Sequence, residues 1–384
     1  MKTPIFITSF SSFSPLGDNP ESVWENYLTD KTLISEREIE GKKQIVCALP
    51  KELVEQKESL RKSDKYRNLD DSVLYAILAS RKAIERAGWK ETDVFGINIG
   101  SSRGATSLFE KYHTEFIETG KTSTLASPTT TLGNISSWVA QDLRSTGIEI
   151  SHSIACSTAF HALLNGIAWI NSGMTDKFLV GGSEAPLTAF TIAQMKALKI
   201  YARDFSDFPC RAFDLKKTQN TMVLGEGASV VCLEKVQTQN TIAKIVGIGY
   251  ATEMLQHGVS ITEEAECFQN SMKMALKNTD VRSVDAIVMH APGTIKGDLS
   301  EVRAIEKVFG ENIPILTTNK WKTGHTFGAS GTLSLELALL MLKHQKFIKV
   351  PFVETKTYPK SLHKILINTV GFGGNAVSVL IEKV

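Results

Sequence analysis

Apolar residues along the chain fall into two alternating rhythms. Short runs at Ile5 to Thr8, Phe95 to Ile99, Ile148 to Ile154, Phe178 to Val180 and Val284 to Met289 have the length and residue types of buried strands. Between them, Val73, Leu74, Ile77, Leu78 and Ile84 recur at helical spacing, and Gly88 sits where that helix should stop. Leu333 to Leu342 forms another apolar helix. A further helix, rich in small residues (Ala159, Ala162, Gly166, Ala168), follows closely on the strand ending at Ile154. Strands alternating with helices predict an α/β fold built in layers. Ala228 to Val236 (ASVVCLEKV) and Ala376 to Val384 (AVSVLIEKV) echo each other, each behind a Gly-rich turn. The echo predicts two similar halves, 1–236 and 237–384, although two ordinary edge-strand endings would read the same way. No Pro/Gly/Ser-rich linker divides them, so one packed body is expected.

Composition narrows the function classes. The 384 residues carry 43 Lys and Arg against 41 Asp and Glu, a formal charge of +2. Length alone allows about two to three domains. The balance lacks the basic excess of a nucleic-acid binder, and 42% hydrophobic residues exclude general disorder. No apolar run reaches the roughly 18 residues of a membrane-spanning helix. The opening residues read as a first strand rather than a secretory signal. Five cysteines, at 47, 156, 210, 232 and 267, form an odd set without CxxC spacing. Neither a disulfide framework nor a zinc site follows, and a reducing, cytoplasmic setting is expected.

Candidate chemistry concentrates at three turns. Cys156 follows an apolar strand and opens a helix at Ser157-Thr158-Ala159. Free backbone N–H groups and the positive end of a helix dipole favour thiolate there, and the same groups can hold an oxyanion when a thioester is attacked. By position alone, a buried packing cysteine is the commoner fate. His290 ends the run Ala286 to Met289, and His325 lies in Lys320-Trp321-Lys322-Thr323-Gly324-His325. Histidines at carboxyl ends of strands are where sites assemble in α/β proteins; a hydrogen-bonded structural histidine fits either position as well. His113, His152, His161, His257, His344 and His363 have no comparable setting.

Taken together, these pieces resemble the β-ketoacyl-acyl carrier protein synthases, condensing enzymes of the thiolase superfamily. The resemblance spans nearly the whole chain. It rests on Ile5 to Gly17, Ala155-Cys156-Ser157-Thr158-Ala159, Gly181-Gly182-Ser183-Glu184, Arg211-Ala212-Phe213-Asp214 and Leu224-Gly225-Glu226-Gly227-Ala228. His290 with Thr294 and Asp298, Lys320 with Thr323-Gly324-His325, and Gly371-Phe372-Gly373-Gly374 complete the series. It implies a thiolase-like five-layer αβαβα fold. Cys156 would carry the acyl chain as a thioester, and two neutral imidazoles, His290 and His325, would stabilise the enolate left when a malonyl extender loses CO2. Lys320 would hold the polar network around them. The N–H groups of Cys156 and Phe372 would form the oxyanion hole, with the Phe372 ring as a gate. Substrate contacts are implied at Thr294, Phe160, Trp138, Gly371 and Gly373. Thiolate serves as nucleophile and leaving group alike; this chemistry requires no metal or redox cofactor.

Departures from the family pattern are specific. Ala291-Pro292-Gly293-Thr294 replaces Gly-Thr-Ser-Thr, and Pro292 fixes φ and removes a donor. Ser334 stands where a Glu is usual, and Glu336, about 200° round the helix from it, is no simple substitute. Asn375 directly follows Gly374, Phe160 occupies a small-residue position, and the cap segment at about 30–70 is short. They suggest a specialised polyene or polyketide condensing enzyme rather than housekeeping elongation. The resemblance also implies an acyl carrier protein partner, with Arg61, Lys62, Lys65 and Arg67 as the docking cluster; a solvated charged face including Asp64 is the plainer account. It implies dimerisation too, through Asn134 to Val139 with Trp138, as a homodimer or with a second ketosynthase-like chain. The alternatives are a chain-length-type partner subunit, which generally lacks the nucleophile, and a thiolase acting on coenzyme A esters, which needs a second catalytic cysteine.

Overall fold

A computed structural model describes residues 4–132, 134–254, 261–354 and 358–384; His257 lies outside them. The first half runs β1 (Ile5–Phe13), α1 (Pro20–Leu28), a hairpin of β2 (Ser35–Ile39) and β3 (Lys42–Cys47), α2 (Lys51–Arg61) and α3 (Asp71–Ala87). It continues through β4 (Gly96–Gly100), α4 (Thr106–Thr119), α5 (Ala126–Thr130), α6 (Asn134–Leu143), β5 (Glu149–Ile150) and α7 (Thr158–Asn171). β6 (Lys177–Glu184), α8 (Ala189–Ala197), β7 (Leu224–Gly225) and β8 (Gly227–Glu234) follow. The remainder comprises β9 (Ala243–Thr252), α9 (Glu266–Ala275), β10 (Ala286–Val288), α10 (Ile295–Phe309), β11 (Ile315–Thr317) and α11 (Lys320–Thr323). The chain closes with α12 (Ser330–His344), β12 (Lys364–Gly371) and β13 (Asn375–Lys383).

Two five-strand sets repeat one plan. In the first, β1, β8, β6, β4 and β5 lie side by side, the first two pairings antiparallel and the last two parallel. In the second, β9, β13, β12, β10 and β11 follow the same order of senses. The echoing segments become β8 and β13, each second in its set. The sets join edge to edge only where Ile5, Phe6 and Ile7 of β1 meet Ile245, Lys244 and Ala243 of β9.

Helices fill the remaining layers for reasons visible in their residues. α3 is capped by the Asp70 side chain, which accepts the Ser72 N–H, and stops at Gly88 with φ +71°. Its apolar face (Val73, Leu74, Ile77) packs with α6 on the outer side of the first set. α7 and α12 lie between the two sets, sharing one core through Phe160, Leu163, Leu335 and Leu339. α9 and α10 cover the outer side of the second set with Phe268, Met272 and Ile305. The order is therefore αβαβα, the thiolase-like arrangement. A buried ion pair, Lys217 Nζ to Asp298 Oδ2 at 2.7 Å, ties the loop before β7 to α10.

One strand is much shorter than its sequence suggests. Of Ile148 to Ile154 only Glu149–Ile150 pairs as strand. Side chains take over the backbone groups: Asn98 Nδ2 and Ser136 Oγ donate to the Ile150 carbonyl, and the Thr158 hydroxyl accepts the Ile154 N–H. The chain is thereby released from the sheet just before Cys156.

Candidate active site

Three turns from different layers meet at one cavity of about 340 Å³, lined by Cys156, His290, His325, Thr294, Phe327 and Phe372, with Gly371 alongside. Each is set up by local backbone chemistry. At the first turn, Ala155 adopts φ +44°, and the N–H groups of Ser157 and Thr158 bond back to the Ile154 and Ala155 carbonyls. Those two N–H groups are thus consumed within the turn, so fewer donors face the thiol than the sequence implies. Gly371 lets the hairpin between β12 and β13 close over this turn, since a Cβ there would lie 2.9 Å from the Ile154 carbonyl. Asn375 then bridges the two segments, its Oδ1 accepting the Ser157 hydroxyl at 2.6 Å and its Nδ2 donating to the Phe372 carbonyl at 3.3 Å.

His290 sits just past β10, and Glu301 of α10 grips its backbone. Glu301 Oε1 accepts the His290 N–H at 2.9 Å, and Oε2 the Ala291 N–H at 2.8 Å. Ala291 has φ +27°. His325 is held by its own backbone, donating to the Val223 carbonyl at 2.7 Å and accepting from the Gly225 N–H at 3.1 Å. Phe327, two residues on, has φ +41°. A non-glycine residue in left-handed conformation thus stands beside each of the three side chains, the kind of local strain that a surrounding structure must enforce. Gly182 of β6 lets the turn after His325 press against the sheet, because a Cβ there would meet the Gly328 carbonyl at 2.5 Å. The last residue of β6, Glu184, accepts the Gly328 N–H at 3.0 Å and, closely, the Ser102 N–H.

The electrostatics follow from burial. The imidazoles stand edge to face, centroids 5.3 Å apart and 85° between planes. Burial, reinforced by the Lys320 charge and for His290 also by His325, holds both well below the usual histidine range, so both are neutral at pH 7. Each Nδ1 is sealed from solvent and finds no hydrogen-bond partner among the described residues. Lys320, at the start of α11, is pulled down by burial, whereas Glu301 is pushed up by it; each supports the other's charge. Lys322 anchors α11 to the end of α1, donating to Asn26 and to the Thr29 carbonyl at 2.7 Å. Burial pushes the Cys156 thiol up to about 12, the neighbouring Glu184 adds to this, and Lys320 opposes it. Desolvation therefore acts against the thiolate that the helix terminus favours.

Other sequence candidates lie elsewhere. Phe160 is fully buried between α7 and α12, against Gly331, whose lack of a side chain makes room for its ring. It is a core residue and does not line the cavity. Trp138 is half-buried on α6 and meets Tyr66 edge-on at 6.4 Å, also away from the cavity. Gly373, with φ +96°, shapes the hairpin turn beside Phe372 without lining the cavity. The basic cluster is partly neutralised: Arg61 pairs with Asp71 and Glu58, and Arg67 with Asp64, while Lys65 reaches the Gln141 carbonyl. Glu301 belongs to none of the motifs above. Its signal is two acids three residues apart, Asp298 and Glu301, on the face of α10 that also carries Val302 and Ile305.

Because Lys320 favours the charged form of Cys156, Lys320→Met should slow alkylation of Cys156 by iodoacetamide at pH 7.5 several-fold, and Lys320→Arg should slow it less. Faster alkylation in Lys320→Met would contradict this electrostatic assignment.

Comparison with known proteins points to one family along the chain. The Beta-ketoacyl synthase N-terminal domain family matches residues 2–239, and the Beta-ketoacyl synthase C-terminal domain family matches residues 242–353. The 3-oxoacyl-[acyl-carrier-protein] synthase 2 of Staphylococcus aureus (strain COL) is 26% identical over 99% of this chain and 98% of its own length. The 3-oxoacyl-[acyl-carrier-protein] synthase 1 of Buchnera aphidicola subsp. Schizaphis graminum is also 26% identical, over 99% of both chains. Among solved structures, the ishigamide ketosynthase/chain length factor superposes with TM-score 0.85 at 20% identity, covering 100% of this chain and 99% of that one. A ketosynthase in complex with its chain length factor from Xenorhabdus doucetiae gives 0.80 at 20% identity, covering 100% and 98%. With both family domains matched in order, and with the fold of the ketosynthases, the chain belongs to the β-ketoacyl synthase family.

Proposed function

We propose that this β-ketoacyl synthase joins an acyl thioester to a malonyl extender, both delivered by an acyl carrier protein, with Cys156, His290 and His325 as the reacting set. The observation that carries the reading is the convergence of these three side chains, from three separate turns, on one cavity. In the first step Cys156 sulfur attacks the acyl carbonyl and the carrier thiol departs with the proton that the cysteine gives up. The N–H groups of Cys156 and Phe372 would receive the negative oxygen; the Asn375 bridge between Ser157 and Phe372 supports their common placement. The malonyl group then loses CO2. The electron pair of the broken C–C bond becomes an enolate, whose oxygen receives two neutral imidazole N–H groups. Imidazolium would instead protonate the carbon, so the depressed histidines suit this step. The enolate carbon attacks the Cys156 thioester, forming the new C–C bond and returning the sulfur as thiolate. Lys320 and Glu301 would act as positioning residues. Of the five cysteines, Cys156 alone lines the cavity, which disfavours a thiolase using a second cysteine.

The two halves would meet near residues 236 and 237, supported by the repeated strand plan and the matched family ranges. A cytoplasmic location is supported by five free cysteines; among the described residues no helix is long and apolar enough to cross a membrane. The expected acyl mass shift on incubation with acyl carriers should appear on wild type, vanish in Cys156→Ala, and be released by malonyl carrier. Absence of any shift on folded wild type would instead favour a partner-subunit role.

The carrier would meet exposed cations. Lys62 and Lys65 are exposed. A second basic hollow of about 400 Å³ is lined by Lys43, Lys196, Lys199 and Arg203 with Glu36. It backs onto the catalytic cavity, because Leu198 and Ile200 line one and Lys199 and Tyr201 the other. Charge reversal at Lys62 and Lys65, or at Lys199 and Arg203, should raise KM for carrier substrates several-fold while sparing small pantetheine thioesters. An unchanged KM in both pairs rejects docking at these sites.

The dimer partner would be a second copy of this chain, seated on the open edge of β5. That strand ends the sheet, Ile148 beside it is exposed, and α4 presents Phe109, Phe116 and Ile117 to solvent. Sedimentation should give a dimer for wild type and a monomer for Phe116→Asp/Ile117→Asp. A wild-type monomer that dimerises only with a chain-length-type subunit would make the assembly heteromeric.

A further inference from the structure

Asn220 lines the cavity but takes no part in the reaction above. It is half-buried in the segment that leads into β7, and its side-chain amide reaches in two directions. Oδ1 accepts the Ile295 N–H at the start of α10 at 2.9 Å, and Nδ2 donates to the Lys199 carbonyl just beyond α8, also at 2.9 Å. A backbone donor at one end and a backbone acceptor at the other fix which way the amide faces.

The two places it grips belong to separate walls. Pro292 and Thr294, just before Ile295, line the cavity on one side; Leu198 and Ile200, which flank Lys199, line it on another. Neither stretch is relaxed backbone. Lys199 is a non-glycine residue at φ +57°, and Gly293 stands at φ +90°, while Pro292 has no N–H to give. The residues after Asn220 extend the brace. The Thr221 N–H and hydroxyl both donate to the Gly293 carbonyl at 2.9 Å, and the Met222 N–H donates to the Ile200 carbonyl at 3.1 Å. Of these contacts, those of Asn220 alone tie both walls through one side chain. Leu198 and Lys296 are exposed yet line the cavity, so its opening lies along these walls.

We propose that Asn220 is a positioning residue that fixes the spacing of the two walls at the cavity mouth, and so sets how tightly the pantetheine arm of an incoming thioester is held. This rests on thioester delivery to Cys156, as proposed above. Alanine offers neither bond. Aspartate keeps the acceptor for Ile295 but sets a negative charge against the Lys199 carbonyl. The brace touches the walls and not the sulfur, so its loss falls on binding and spares the chemical step.

The test is acylation of Cys156 by octanoyl-pantetheine, followed by intact mass over a range of concentrations. Asn220→Ala should raise KM about fivefold or more and leave kcat within about twofold of wild type; Asn220→Asp should raise KM less. Thermal midpoints report folding, and Asn220→Asp carries the comparison if Asn220→Ala unfolds. An unchanged KM overturns the proposal. So does a fall in kcat at unchanged KM, which is what a merely structural asparagine would give. A second arm needs no thioester: the rate of Cys156 alkylation by N-phenylmaleimide relative to iodoacetamide should rise several-fold in Asn220→Ala as the walls loosen. An unchanged ratio also overturns the proposal. Wild type that is alkylated but never acylated would remove the delivery reading, with the alkylation ratio still deciding whether Asn220 sets the wall spacing.

Discussion

Two carboxylates with almost no exposure, Glu184 and Glu301, hold the backbone around the cavity that Cys156, His290 and His325 line. Glu301 binds the N–H groups of His290 and Ala291, and Glu184 those of Ser102 and Gly328. Hydrogen bonds to a charged group contribute about 1.5–3 kcal/mol each, which offsets part of the cost of taking a carboxylate out of water. The balance is close: burial pushes Glu184 up to about 7. These clamps fix loops that carry backbone in unfavourable conformations, at Ala291 and near Phe327. Without them the strained turns have no reason to persist, and the histidines lose their mutual placement.

Burial at the centre acts differently on Cys156 and on the two histidines. It keeps both imidazoles uncharged, which suits donation to an enolate. It opposes ionisation of the thiol, which nucleophilic attack needs. Lys320 lies within electrostatic reach of all three and moves them in one consistent sense, favouring thiolate and disfavouring imidazolium. One fully buried lysine would thus serve both steps of the proposed reaction, and its own charge is supported by Glu301.

The legibility of the chain divides along a physical line. Turn chemistry is local, so Cys156 at a helix start and His290 beyond a strand could be read from their neighbours, as could the β8 and β13 echo. What a long side chain touches is not local. Phe160 stands one turn into the helix that Cys156 opens, yet its ring goes to the space left by Gly331, 171 positions away in sequence. Arg61 and Arg67 resemble a free basic patch only until Asp71 and Asp64 are placed beside them. The strand before Cys156 reads as continuous because Ile148, Ile150 and Ile154 fall on one face of an alternating pattern, but Asn98, Ser136 and Thr158, two of them from distant segments, take its hydrogen bonds.

The central position of β1 sets a timetable for synthesis. Its partners are β8 and β9, with Phe13 opposite Ala228 and Ile5 opposite Ile245. At translation rates of about 5–20 residues per second, the strand emerges roughly 10 to 50 seconds before its last partner is made. Throughout that interval a nine-residue strand with five Ile and Phe side chains has both edges open to any passing segment. The nascent chain therefore needs shelter for β1, by a chaperone or by provisional packing of α1 and α3, until the second sheet begins.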